Sequence, residues 1–153
     1  DLTLTLEKLG SAASPTRGLF AGGFTGGAST DTIQYITIAS VGNATDFGDL
    51  TVASNFAGGA SNSTRALFTG GVTIGYVTIA STGNATDFGD LISNSNPAVG
   101  AASSTRALFG TGSGIQYVEI ATTGNAVSFG NLTFTQQGSE TFGSGSTSHG
   151  GLS

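Results

Sequence analysis

Apolar residues fall at every second position in Leu2-Thr-Leu-Thr-Leu6, and a weaker version of the pattern returns at Leu50-Thr-Val-Ala-Ser54. Alternation at period two predicts a half-buried first strand. Thr64-Arg-Ala-Leu-Phe68, with its counterparts Thr16 to Phe20 and Thr105 to Phe109, predicts a second strand, closed in the middle copy by Gly70-Gly71. Ile74-Gly-Tyr-Val-Thr-Ile-Ala80, matched by Ile33 to Ala39 and Ile115 to Ala121, predicts a third. The short Ala85-Thr-Asp-Phe88, entered through Gly83-Asn84, predicts a fourth. Gly-Asn and Gly-Gly between such runs supply positive φ at little steric cost, as tight turns require. No window of helical length shows a 3.6-residue period, so the chain reads as all-β.

These runs belong to a repeat. The decamer Thr82-Gly-Asn-Ala-Thr-Asp-Phe-Gly-Asp-Leu91 is preceded at a spacing of 41 residues by Val41 to Leu50, and followed at the same spacing by Thr123-Gly-Asn-Ala-Val-Ser-Phe-Gly-Asn-Leu132. A fixed period of about 40 residues marks a repeat architecture. Asp1-Leu2-Thr3 matches Asp49-Leu50-Thr51, Asp90-Leu91-Ile92 and Asn131-Leu132-Thr133. The units are therefore 1–48, 49–89 and 90–130, with a partial fourth at 131–153, forming one repeat domain over 1–153. The first unit is longer because of the Gly/Ser/Thr-rich stretch from Phe24 to Thr32, which reads as a surface-loop insertion.

Along the third strand Ile33, Tyr35 and Thr37 point to one face, and Ile36 and Ile38 to the other. Large apolar side chains on both faces imply a sheet covered on both sides. Four short antiparallel strands, repeated and covered on both faces, fit propeller-like blades stacked between neighbours. A β-trefoil or β-prism with pseudo-threefold repeats is the rival fold.

The order of a glycine pair, a tyrosine on the third strand, then a bulky aromatic and a leucine resembles the kelch-type β-propeller repeat. Here those residues are Gly22-Gly23, Tyr35, Phe47 and Leu50, then Gly70-Gly71, Tyr76, Phe88 and Leu91. In the third unit they are Tyr117, Phe129 and Leu132, with Gly110-Thr111-Gly112 in place of the pair. Phe stands where kelch proteins usually carry Trp. Phrases such as Ser-Thr-Arg-Ala-Leu-Phe are similar to kelch-like repeats in structural and tail-fibre proteins of aquatic bacteriophages. That resemblance implies a propeller-like fold and a virion or extracellular location.

Composition narrows the functions. Only 8% of residues are charged, against roughly 25% in an average domain. The surface is therefore Ser, Thr, Asn and Gly, which suppresses pairing at sheet edges poorly. Four basic residues and a net charge of −5 argue against nucleic acid as a partner. The absence of cysteine excludes disulfides, thiol nucleophiles and thiolate metal sites. No apolar run is long enough to insert into a membrane as a helix. A start at Asp1 without Met reads as a processed or trimmed product.

Arg17, Arg65 and Arg106 occupy one repeat position. They read as inter-repeat pairing residues that meet carboxylates such as Asp46 and Asp87, with anion or sugar contacts as the other reading. Asp46/Asp49 and Asp87/Asp90 read as turn residues rather than calcium ligands, because the denser ligand spacing of a calcium loop is missing. Asn43, Asn62, Asn84 and Asn131 open Asn-x-Ser/Thr sequons, acceptors for glycosylation in a secreted eukaryotic protein. Tyr35, Tyr76 and Tyr117 read as core residues before a sugar platform. His149, the single histidine, sits in a Gly/Ser-rich tail without a nucleophile motif. No catalytic, cofactor-binding or metal constellation is present in this reading, so an enzyme is not expected.

Residues 1–9 and 131 onward both begin a unit. Either Asp1 to Leu9 completes a sheet in its own chain, or it is a donor strand that assembles onto a neighbour through Leu2, Leu4, Leu6 and Leu9. The second arrangement runs head-to-tail and generates a ring or a filament. The expectation is a structural subunit of an extracellular filament or viral fibre, a homo-oligomer built by β-strand complementation. The alternative is a receptor- or glycan-binding module of a tail fibre, with a surface glycan as partner.

Overall fold

A computed structural model describes residues 1–93, 98–133 and 145–146. The described residues contain strands and no helix. Three four-stranded antiparallel sheets follow one another along the chain. The first comprises β1 (Gly10–Ala13), β2 (Arg17–Ala21), β5 (Thr32–Thr37) and β6 (Thr45–Asp49). Between its second and third long strands lies a small hairpin, β3 (Phe24–Thr25) and β4 (Ala28–Ser29), which turns through Gly26 and Gly27 at φ 58° and 94°. This is the insertion seen in the sequence. The second sheet comprises β7 (Gly59–Ser61), β8 (Arg65–Gly70), β9 (Thr73–Thr78) and β10 (Thr86–Asp90). The third comprises β11 (Ala98–Ala102), β12 (Arg106–Thr111), β13 (Gly114–Glu119) and β14 (Val127–Asn131), with β15 (Gly145–Ser146) added in parallel to β11.

Second, third and fourth strands lie where the alternation places them. The first strands do not. Leu2–Leu6 and Leu50–Ser54 stay outside the ladders, and the strand paired to the outside of the second strand in each sheet is instead a run of small residues: Gly-Ser-Ala-Ala, Gly-Ala-Ser and Ala-Val-Gly-Ala-Ala. The reason is spacing between units. These strands pass so close to one another that a Cβ on Gly59 would collide with the carbonyl of Ser11, and one on Gly100 with the carbonyl of Gly59. A leucine-rich strand has no room there. Leu50 and Leu91 are used elsewhere, as buried plugs between sheets.

The fourth strand of each unit carries a β-bulge at its Phe. The register slips past Phe47, Phe88 and Phe129 in turn, leaving each as the extra residue. A bulge bends the strand and re-aims one side chain. The two internal copies send Phe47 and Phe88 into the core, each 2% exposed.

The core lies between sheets. One cluster joins Leu19, Ile33 and Phe47 of the first unit to Leu50, Ala66, Phe68, Val77 and Ile79 of the second. The other joins Leu67, Ile74 and Phe88 of the second to Leu91, Ala107, Phe109, Val118 and Ile120 of the third. Burial on both faces thus holds for the middle sheet, and among the described residues the outer two each have one face that no other sheet covers. The described residues form no closed barrel or propeller ring.

Candidate functional site at the joints between units

The repeated decamer builds the joint. Gly83 and Ala85 donate backbone hydrogen bonds of 2.7 Å to the carbonyls of Phe47 and Asp49, and the Asp49 N–H is accepted by Asn84 Oδ1 at 3.1 Å. The next joint repeats the set: Gly124 and Ala126 donate to Phe88 and Asp90 at 2.8 Å, and Asp90 N–H meets Asn125 Oδ1 at 3.0 Å. The turn of one decamer therefore clasps the bulged strand of the decamer before it. Contact is close: a Cβ on Gly48 would lie 2.5 Å from Gly83, and one on Gly89 2.5 Å from Gly124. Gly-Asn, the turn in sequence terms, is also the clasp.

Arginine adds a second tie. Arg17 donates from Nη1 to the carbonyl of Ile79 at 2.8 Å, and Arg65 to those of Ile120 and Ala121 at 2.9 and 3.0 Å. Each guanidinium also lies over a tyrosine of its own unit, 4.6 Å from Tyr35 and 4.8 Å from Tyr76. These arginines do link one unit to the next, but the expected pairs with Asp46 and Asp87 do not form. Both carboxylates are exposed, and the single ion pair among the described residues joins Arg106 to Glu119 at 2.7 Å. Main-chain carbonyls win because the neighbouring strand end presents them directly under the stacked guanidinium. Arg106 reaches no carbonyl of a following unit among the described residues, and the hydrogen bond it donates to Glu119, with that carboxylate's charge, holds the guanidinium above its ordinary pKa.

Each tyrosine is half-buried and meets the bulge phenylalanine edge-on, at 5.8 Å for Tyr35–Phe47 and Tyr76–Phe88 and 6.0 Å for Tyr117–Phe129. An Arg–Tyr–Phe column thus recurs in every unit. Its terminal member differs: Phe129 is 54% exposed.

The first nine residues stay with their own chain and form no strand. Asp1 occupies the clasp of the first unit, its ammonium donating to Asn43 Oδ1 at 2.7 Å and its carbonyl accepting from Ala44 N–H at 2.8 Å. Thr3 N–H donates to Gln34 Oε1 at 2.6 Å, as Ile92 does to Gln116 at 2.5 Å. Glu7 bridges Phe24, and Lys8 lies over the rings of Phe56 and Phe24. Leu2, Leu6 and Leu9 are half-buried and Leu4 is exposed. Within the single chain, residues 1–9 thus lie against their own first unit.

Among the sequon residues, Asn43 and Asn84 serve the clasp through Oδ1. Asn62 caps a turn, its Oδ1 accepting from Thr64 and Arg65 N–H, while Nδ2 donates to the Ser104 carbonyl. Asn131 ends the exposed bulged strand. His149 lies outside the described residues. Among the described residues no three His, Cys, Asp or Glu side chains gather as a metal site.

Among the described residues two outer faces are less buried than their internal counterparts. On the third unit Leu108 and Ile115, with Leu132 just after that unit, are partly exposed, where Leu67, Ile74 and Leu91 are buried at the preceding repeat positions. On the first unit Phe20 and Ile36 are partly exposed and Ile38 is 52% exposed, where Phe68, Val77 and Ile79 are buried one unit later. Beside them opens a shallow pocket of about 100 Å³ lined by Tyr35, Ile36, Thr37, Ser40, Gly42, Asn43 and Thr45. The corresponding place in the second unit holds the bulged strand of the first. Sequence reasoning had no means to see this, because repeats alone do not say which face meets which. No protein-family model matches the chain, and no curated protein matches it at a significant level.

Proposed function

We propose that this chain is a structural subunit of an extracellular filament or viral fibre, built from kelch-like units and assembling head-to-tail through its two open faces. The observation that carries the reading is their complementarity. Among the described residues the same joint is made twice, and the outer faces of the first and third sheets carry the positions that those joints bury. Contacts between unlike faces propagate into rings or open filaments. A surface with few charges offers little repulsion to oppose this.

Electron microscopy and sedimentation across a concentration series test the proposal. The expected result is a monomer at low concentration giving way to linear polymers with a constant axial repeat. A chain that stays monomeric at every concentration, or that stops at a dimer through like faces, overturns it.

A further inference from the structure

Resting on that reading, we infer that the joint between copies forms by exchange: Phe129–Thr133 of one copy displaces Asp1–Thr3 from the first unit of the next, and Ser11 gauges how tightly the joint closes. Asp1-Leu2-Thr3 and Asn131-Leu132-Thr133 hold the same repeat position, and the bonds at stake are made by main-chain atoms that both segments possess. In its own chain Asp1–Thr3 satisfies Asn43, Ala44 and Gln34. It does not satisfy Gly42. The equivalent N–H groups of Gly83 and Gly124 donate to the carbonyls of Phe47 and Phe88, whereas Gly42 N–H has no such acceptor among the described residues. An incoming Phe129 carbonyl completes that set. The exchange also covers Phe129 and Ile38, and it lets Arg106 leave Glu119 for the Ile38 carbonyl, as Arg17 and Arg65 bind those of Ile79 and Ile120.

One residue opposes an unaltered copy of the internal joint. Gly59 and Gly100 are glycines because the carbonyl of the preceding unit's edge strand occupies the place of a Cβ. The residue in that position of the first unit is Ser11, exposed in β1. Against the Gly100 carbonyl of another copy its Cβ collides in the same way. The inner edge of the intermolecular joint must therefore stand further apart than the inner edges within the chain, leaving a weaker contact than the covalently linked ones.

The test is a size series at this exposed position, read as the polymerisation threshold of the full chain. Ser11→Gly is expected to lower the threshold by roughly tenfold and Ser11→Val to raise it by at least as much. Thermal melting of the dilute monomer reports whether each variant folds, and should move little because the side chain faces solvent. Deleting Asp1–Thr3 removes the competitor and should lower the threshold again. A photoreactive benzoylphenylalanine at position 129 should give an intermolecular adduct in the tryptic peptide 18–65. Polymers with adducts elsewhere, or thresholds indifferent to Ser11 and to the deletion, overturn this joint while leaving the filament reading intact. Absence of polymers in every variant, Ser11→Gly included, overturns both.

Discussion

Phe88 and Phe129 stand at one repeat position, on equivalent bulges and against equivalent tyrosines, and differ in whether another unit covers them. Truncation of each to alanine therefore isolates the contribution of the joint. Phe88 is 2% exposed among Leu67, Ile74, Val118 and Ile120, so Phe88→Ala removes a core aromatic and leaves a cavity between two sheets. Core Phe→Ala changes cost about 3–5 kcal/mol. Phe129 already has 54% of its surface in water. With full burial of a large apolar side chain contributing about 1.5–3 kcal/mol, the buried fraction of Phe129 contributes about 1 kcal/mol, and no closed cavity follows its removal. Both variants lose an edge-on aromatic contact of about 0.5–1.5 kcal/mol. With that contact included, Phe129→Ala costs about 2 kcal/mol, so Phe88→Ala should exceed it by about 1–3 kcal/mol. Urea unfolding followed by circular dichroism, at concentrations below any self-association, measures the difference. Equal costs would refute the reasoning, since they would place the stability of the phenylalanine within its own sheet rather than across the joint.

Arg65→Ala should destabilise the monomer by about 1–2 kcal/mol, because it removes two bonds to carbonyls of the next unit and the stack on Tyr76. Arg106→Ala should move the same melting curve less, since its partner Glu119 is as exposed as itself and it ties no other unit among the described residues. Leu4→Ser tests the buried Gln34 amide, whose Nε2 has no partner while Gln116 Nε2 donates to Ser93 and Thr111. Leu4 holds the position of Ser93, is 42% exposed, and as serine should supply the missing acceptor for a gain of about 0.5–1.5 kcal/mol in the same denaturation assay.

The class of fold was legible because it rests on side-chain alternation and turn glycines, both local properties. Ile74 and Tyr76 facing one cluster, with Val77 and Ile79 facing the other, is the period-two pattern read directly into burial. What escaped was set between units. The small-residue strands are chosen by how close two backbones must come, and small residues such as Gly59-Ala-Ser61 carry no alternation by which to recognise a strand. The leucine-rich runs had the better pattern and the wrong place. Arginine pairing failed for a related reason: its repetition pointed to an inter-unit contact, but a carbonyl at a strand end has no signature in the sequence, whereas an aspartate does.

The third decamer shows which of its positions answer to which neighbour. Its clasp, Gly124-Asn125-Ala126, is unchanged from Gly83-Asn84-Ala85, and these residues serve the joint with the second unit. The substitutions Val127 for Thr, Ser128 for Asp and Asn131 for Asp all fall on exposed side chains of β14, whose counterparts β6 and β10 serve their joints through main-chain atoms. Phe129, Gly130 and Leu132 are kept. In the isolated chain Phe129 is largely in water, and a Cβ on Gly130 would touch nothing within 4 Å. A strand that no longer needed a neighbour could exchange an exposed phenylalanine for a polar residue at little cost to its own sheet. Retention of the joint-forming residues, with change confined to the side chains a joint does not use, is the pattern expected if β14 is covered in the proposed assembly. On that proposal the assembled and single molecules differ most at Gly42 and Phe129.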